Sequence, residues 1–168
     1  MLSSHSEVID QSIILLQSLS HDEYQDICQP LFSASIGQHI RHIVDHFTSL
    51  MRGLETTTVD YNYRSRQSDI ETSLAVAISQ LHHIKTWILT LTDSQLLTAL
   101  SVVSDINVHH THHVTVQSTT ARELVFCASH AIHHYALVKI IRQLQGAQVD
   151  VNFGIAPATI AYQQSLQN

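Results

Sequence analysis

Apolar residues recur along this chain at the spacing of helices. Val8, Ile9, Ile13, Leu15, Leu16 and Leu19 form one stripe, which predicts a first helix from about Ser4 to Ser20. Tyr24 to Phe32, with Pro30 and several polar residues, reads as a loop. Ile36, Ile40, Ile43, Phe47, Leu50 and Leu54 then follow at i, i+4 and i+7. Ser35 stands three residues before Gln38, the spacing of a capping box, so a second helix starts there and ends near Gly53 to Glu55.

An irregular stretch with Asp60, Tyr61, Tyr63, Arg64 and Arg66 comes next. Ser68 and Glu71 predict the start of a third helix, whose core face carries Ile70, Leu74, Ala77, Ile78, Leu81, Ile84, Trp87, Ile88 and Leu91 before it stops near Asp93. Between 99 and 118, Val, Thr and Ile dominate, as in a short hairpin or extended crossover. Thr120 and Glu123 predict the start of a last long helix, which ends before Gly146, and a helical turn begins at Pro157. Four long helices and one β-like crossover before the last of them predict an all-α four-helix bundle, a single domain over residues 1–168.

Composition sharpens this reading. Only 13% of the 168 residues are charged, and Gly and Pro number 4 and 2, which suits long helices with few turns. A formal charge of −6 argues against a basic phosphate-binding face, so no nucleic-acid partner is expected. Two cysteines, Cys28 and Cys127, make no disulfide framework and no C-x-x-C zinc motif. The N-terminus lacks the basic and apolar regions of a secretion signal, and no apolar run approaches the roughly 20 residues that span a bilayer. A cytoplasmic protein with no membrane partner is the expectation.

Histidine is the unusual residue, with 14 copies. His130 and His134 lie four apart in the last long helix, on a face shared with Phe126, Leu137 and Ile141. Two imidazoles one turn apart can chelate one divalent ion, and such a pair buried among apolar neighbours without a partner would be costly. His39, His42 and His46 lie on one flank of the second helix. A third ligand from that helix would give a three-histidine set with an open position for water or substrate. Helical geometry sets His39 about 60°, His46 about 80° and His42 about 120° from the centre of the apolar stripe. On spacing alone, His39 and His46 are the nearer choices. The run His109-His110-Thr111-His112-His113 is a second metal candidate. As a strand it would set His110 and His112 on one face and His109 and His113 on the other, which suits adventitious Ni²⁺ rather than function. Cys127, within one turn of the histidine pair, is read as a core residue rather than a thiolate ligand.

Three segments carry a resemblance to a known family: SIGQHIRHIVDHF, ARELVFCASHAIHHYALVKIIRQLQG and FGIAPATIAY. With them the chain resembles the DinB/YfiT-like superfamily of metal-dependent four-helix-bundle proteins over most of its length. The resemblance implies a divalent ion, Zn or Ni first and Fe or Mn as alternates, held by one histidine of the second helix and the H-x-x-x-H pair of the last. It maps the ligands onto His42, which stands in the sequence His42-Ile43-Val44-Asp45, and onto His130 and His134; His39 and His46 stay as alternative ligands that join or replace His42, or as substrate-binding residues lining the same cleft. Three neutral imidazoles would leave such an ion its full positive charge and acidify a bound water, as in a hydrolase, whereas the resemblance implies a thiol S-transferase whose open position takes a thiolate.

Asp45, Glu123 and Tyr135 are candidates for acid–base or ligand-orienting work, although surface and capping duty is the plainer reading of the two carboxylates. Arg64 and Arg66 are candidates for binding an anionic group of a small-molecule substrate. The alternative function is a non-catalytic metal- or stress-responsive bundle acting as a homodimer, and a homodimer fits both readings.

Overall fold

The structure, a computed structural model, describes residues 1–63 and 65–166. Long helices dominate it, and a small three-stranded sheet closes one side. The first helix, α1 (Leu2–Gln17), is followed by a short α2 (His21–Gln25). Ser20 caps α2 through a complete capping box with Glu23, so part of the expected loop is helical. The spacing Ser20-x-x-Glu23 was present in the sequence to signal it.

Helix α3 (Ile36–Thr56) starts where the sequence predicts. The Ser35 side chain accepts from the Gln38 amide, and the Gln38 side chain reaches back to the Ser35 amide. Its apolar stripe Ile36, Ile40, Ile43, Phe47 and Leu50 is fully buried. Strand β1 (Thr58–Asp60) follows at once. Gly53 makes this turn-back possible, because a Cβ there would stand 2.3 Å from the Val59 side chain.

The expected third helix begins late. Ser68 caps nothing with its side chain, residues Asp69–Glu71 form one 3₁₀ turn, and α4 (Leu74–Thr90) starts from a Ser73 cap. A short α5 (Asp93–Leu96) leads to the hairpin β2 (Ala99–Asp105) and β3 (His113–Thr119). The sheet order is β1-β2-β3, with β1 parallel and β3 antiparallel to β2. The third strand, β1, had no recognisable pattern because three residues are too few to show alternation. Residues 106–112 form the hairpin loop, so of the histidine run only His113 lies in a strand, where its Nδ1 stands 2.7 Å from Asp105. The two-faced strand arrangement expected for this run is therefore not formed.

Helix α6 (Thr120–Leu144) continues directly from β3. Thr119, not Thr120, caps it, and Glu123 turns inward instead of completing a capping box. It ends at Gln145 with Gly146 in the left-handed conformation, φ 79°. The tail returns across α6 to α7 (Pro157–Ser165). Contrary to the expectation from the sequence, α6 is by length and composition apolar enough to cross a membrane. Here it is a core helix: Leu124, Cys127, Ala131, Val138 and Ile141 are buried, and the helix packs on both α3 and α1.

Helices α1 and α4 pack together, as do α3 and α6, and contacts of α3 with α4 and of α1 with α6 join the two pairs. Ion pairs tie the seams. Lys85 Nζ of α4 lies 2.6 Å from Asp10 of α1, and buried Arg142 of α6 lies 2.9 Å from Glu23 of α2.

Candidate metal centre

The α3–α6 seam brings five imidazoles together. His42 and His130 meet Nε2 to Nε2 at 3.0 Å, and His130 and His134 at 3.1 Å. His39 and His134 meet Nδ1 to Nδ1 at 2.9 Å. One nitrogen each of His42, His46 and His130 lies within 4.8 Å of the others. The His46 and His130 rings stack at 4.1 Å, and the His42 and His134 rings lie 4.7 Å apart. His133 points outward and is exposed, with its ring 5.5 Å from that of His134.

His42 reaches this cluster although it lies farthest from the apolar stripe. Helix α6 sits over the flank of α3 rather than over the centre of its stripe, and wheel geometry contains no information about where the neighbour docks. His39 and His46 are both buried and also face the seam. All three histidines of the second-helix group and both of the α6 pair therefore converge.

The nitrogens suit a cation. One ring nitrogen holds either a hydrogen or a lone pair. The Nε2 of His130 faces two other Nε2 atoms, and hydrogen bonding to both at once would ask one site to serve twice. Lone pairs directed at a shared ion answer that demand. Tetrahedral zinc with bonds of about 2.05 Å would set its ligand nitrogens roughly 3.3 Å apart, close to the His42–His130 and His130–His134 separations. Burial and the neighbouring imidazoles push the His134 pKa down to about 3, and burial pushes that of His39 down as well. Both rings are therefore held neutral, the form that coordinates a metal.

The walls of the site are aromatic. Tyr61, from the segment after β1, stacks on His46 at 5.2 Å, and Phe126 packs against Tyr61, His46 and His130. The Tyr61 hydroxyl donates to Glu123 at 2.8 Å and lies 3.5 Å from the Cys127 sulfur. Burial pushes the Cys127 thiol up to about 12, so it remains protonated. The sequence carried no signal for Tyr61, whose placement depends on β1 pairing with β2.

The two carboxylates are not surface groups. Glu123 is 1% exposed and accepts from Tyr61, Ser118 and Arg122. Asp45 is 3% exposed and accepts from Arg41 at 2.7 Å and from the backbone and hydroxyl of Ser65. Both hold the 61–72 segment against the helices. Tyr135 lies on another face of α6: its hydroxyl donates to the Val8 carbonyl at 3.0 Å, and its ring stacks on Phe153. It is not among the clustered imidazoles. Arg66 is exposed in a turn, and Arg64 lies outside the described residues.

Comparison with known proteins identifies the family. A family model described as the DinB superfamily matches residues 5–138, a span that includes both histidine groups. Among curated proteins, "FK506-binding protein 5" of Rhizopus delemar is 33% identical over 106 residues, which is 63% of this chain and 28% of that protein. The chain thus spans little more than a quarter of that relative. No solved structure matches.

Proposed function

The chain belongs to the DinB superfamily, and from that premise we propose that it is a metal-dependent four-helix-bundle enzyme whose divalent ion is held by His42, His130 and His134. The observation that carries this reading is the position of His130 Nε2, 3.0 Å from the Nε2 of His42 on the other helix and 3.1 Å from that of His134. Zinc or nickel is the ion proposed, with iron and manganese as alternates, because imidazole suits all four. Such an ion, on neutral ligands alone, supplies Lewis acidity that turns a bound water into a nucleophile near neutral pH or takes up a thiolate.

The chain's own residues fit hydrolysis or thiol S-transfer on a small molecule. No carboxylate sits among the ligands to offset positive charge, since Asp45 and Glu123 are engaged with Arg41, Ser65, Tyr61, Ser118 and Arg122. Phe126 and Tyr61 present an apolar wall that limits water and strengthens electrostatic effects inside. His46 donates its Nδ1–H to the His42 carbonyl at 3.0 Å, which leaves its lone pair on Nε2, an acceptor for a substrate proton.

One observation favours a second reading. His42, His46 and His130 form a set whose nitrogens all lie within 4.8 Å of one another, so His46 can serve in place of His134 or as a fourth ligand. Four imidazoles would close the shell and suit a non-catalytic, metal- or stress-responsive homodimer. X-ray absorption on zinc-loaded protein separates the two: three nitrogens plus an oxygen support the enzyme, and four nitrogens support the binding module.

The metal itself is tested with untagged protein, His130→Ala and His134→Ala, by elemental analysis. We expect one equivalent in the parent chain and loss in both variants. Unchanged content in both variants overturns the site.

A further inference from the structure

We infer that His39 is a positioning residue for this centre: its Nδ1 accepts the Nδ1–H of His134 and thereby fixes the tautomer and direction of that ligand ring. The inference rests on the metal reading above. His134 uses its two nitrogens in two directions. Nε2 faces His130 at 3.1 Å, and Nδ1 faces His39 Nδ1 at 2.9 Å. A neutral imidazole has one hydrogen and one lone pair. When the lone pair on Nε2 coordinates, the hydrogen is on Nδ1, and His39 Nδ1 stands in position to accept it.

The assignment leaves the other end of His39 unsatisfied. If its Nδ1 accepts, its own hydrogen is on Nε2. That atom is buried and has no hydrogen-bond partner, and the whole residue is only 9% exposed. Buried polar atoms without partners are rare in folded proteins. Here the bond to His134 at Nδ1 has to offset that cost.

His46 shows the same device with a different acceptor, because its Nδ1 is directed at the His42 carbonyl. Metal-binding histidines usually have such a partner on the second nitrogen, most often a carboxylate or carbonyl. A histidine in that role orients the ring without adding negative charge. Neither nearby carboxylate competes for it, since Asp45 and Glu123 are turned to the 61–72 segment and the helix starts.

The test compares His39→Asn with His39→Leu. The Asn side chain can set its oxygen where Nδ1 stands, so it still accepts from His134, whereas Leu fills the space without accepting. Zinc affinity is read by competition with a chromophoric chelator, zinc content by elemental analysis at saturation, and the His134 tautomer by long-range proton–nitrogen correlation spectra of the zinc-loaded chain. The Leu variant should keep one equivalent at saturation but bind roughly 10–100-fold more weakly. The Asn variant should recover most of that loss, and His134 should be protonated at Nδ1.

Should His39→Leu fail to unfold cooperatively, His39→Gln replaces it. The Gln oxygen falls nearer the Nε2 position, so the loss should persist. Equal weakening by Asn and Leu overturns the assignment, as does unchanged affinity in Leu, a lower saturating content, or a His134 proton on Nε2. A parent chain that takes up no zinc overturns the metal reading itself and the inference with it.

Discussion

His130 is the ring on which the cluster turns, with its Nε2 3.0 Å from one imidazole nitrogen and 3.1 Å from another. Without metal, that single atom is a full partner to only one neighbour at a time. His130→Ala therefore removes about one neutral hydrogen bond from the metal-free chain, a cost of about 1 kcal/mol. Loss of packing against Phe126 and His46 adds to this, so the metal-free variant should be weakened by roughly 1–2 kcal/mol.

With metal the balance changes. Zinc at about 100 times its dissociation constant stabilises a folded chain by about 2.7 kcal/mol. For a chain of this size that is a rise in Tm of roughly 5–11 °C. The variant has lost one of three ligands, so the same zinc concentration should give it little or no rise. Calorimetry of untagged protein with chelator and then with zinc measures both quantities. His109, His110 and His112, in the exposed hairpin loop, should be replaced in both backgrounds to remove surface binding. An equal zinc-induced rise in parent and variant would refute the reasoning.

Two further outcomes follow from the buried network. Tyr61→Phe removes the hydroxyl that donates to Glu123 at 2.8 Å. Glu123 retains Ser118 and Arg122, so the expected cost is about 1.5 kcal/mol, the low end for a bond to a charged group, read as the shift of the urea midpoint. A shift indistinguishable from zero would mean that the hydroxyl is not engaged. The second outcome concerns acid. Burial holds the pKa of His134 at about 3 and that of His39 below its ordinary value near 6.5, so the unfolded chain binds more protons than the folded one below about pH 6.5. Metal-free stability should be complete above that pH and fall as pH drops from there toward 3. Urea midpoints at pH 5 and 7.5 check this, and an equal or higher midpoint at pH 5 would contradict it.

Local signals reached as far as local causes. The Ser35–Gln38 capping box marks α3 because both partners lie within one turn. The His130–His134 spacing shows a shared face for the same reason. Ser68 and Glu71 have the same pattern yet give only a 3₁₀ turn. There the Glu71 side chain is engaged by Arg41 at 2.9 Å, a partner 30 positions away along the chain. Glu123 likewise leaves its expected capping role for Tyr61 and Ser118. The choice among His39, His42 and His46 depended on where α6 docks, and the contact of His39 with His134 joins residues 95 apart. No periodicity encodes such a distance.

The clustered rings come from two helices, and the contact of His42 with His130 spans 88 residues of chain. Everything between them, including α4 and the β2–β3 hairpin, must be threaded before His42 can meet His130. Closing a loop of that length has a considerable entropic cost before any long-range contact offsets it. An optical or magnetic signal from these imidazoles during refolding would thus time the docking of α3 on α6, and it would stay silent while individual helices form.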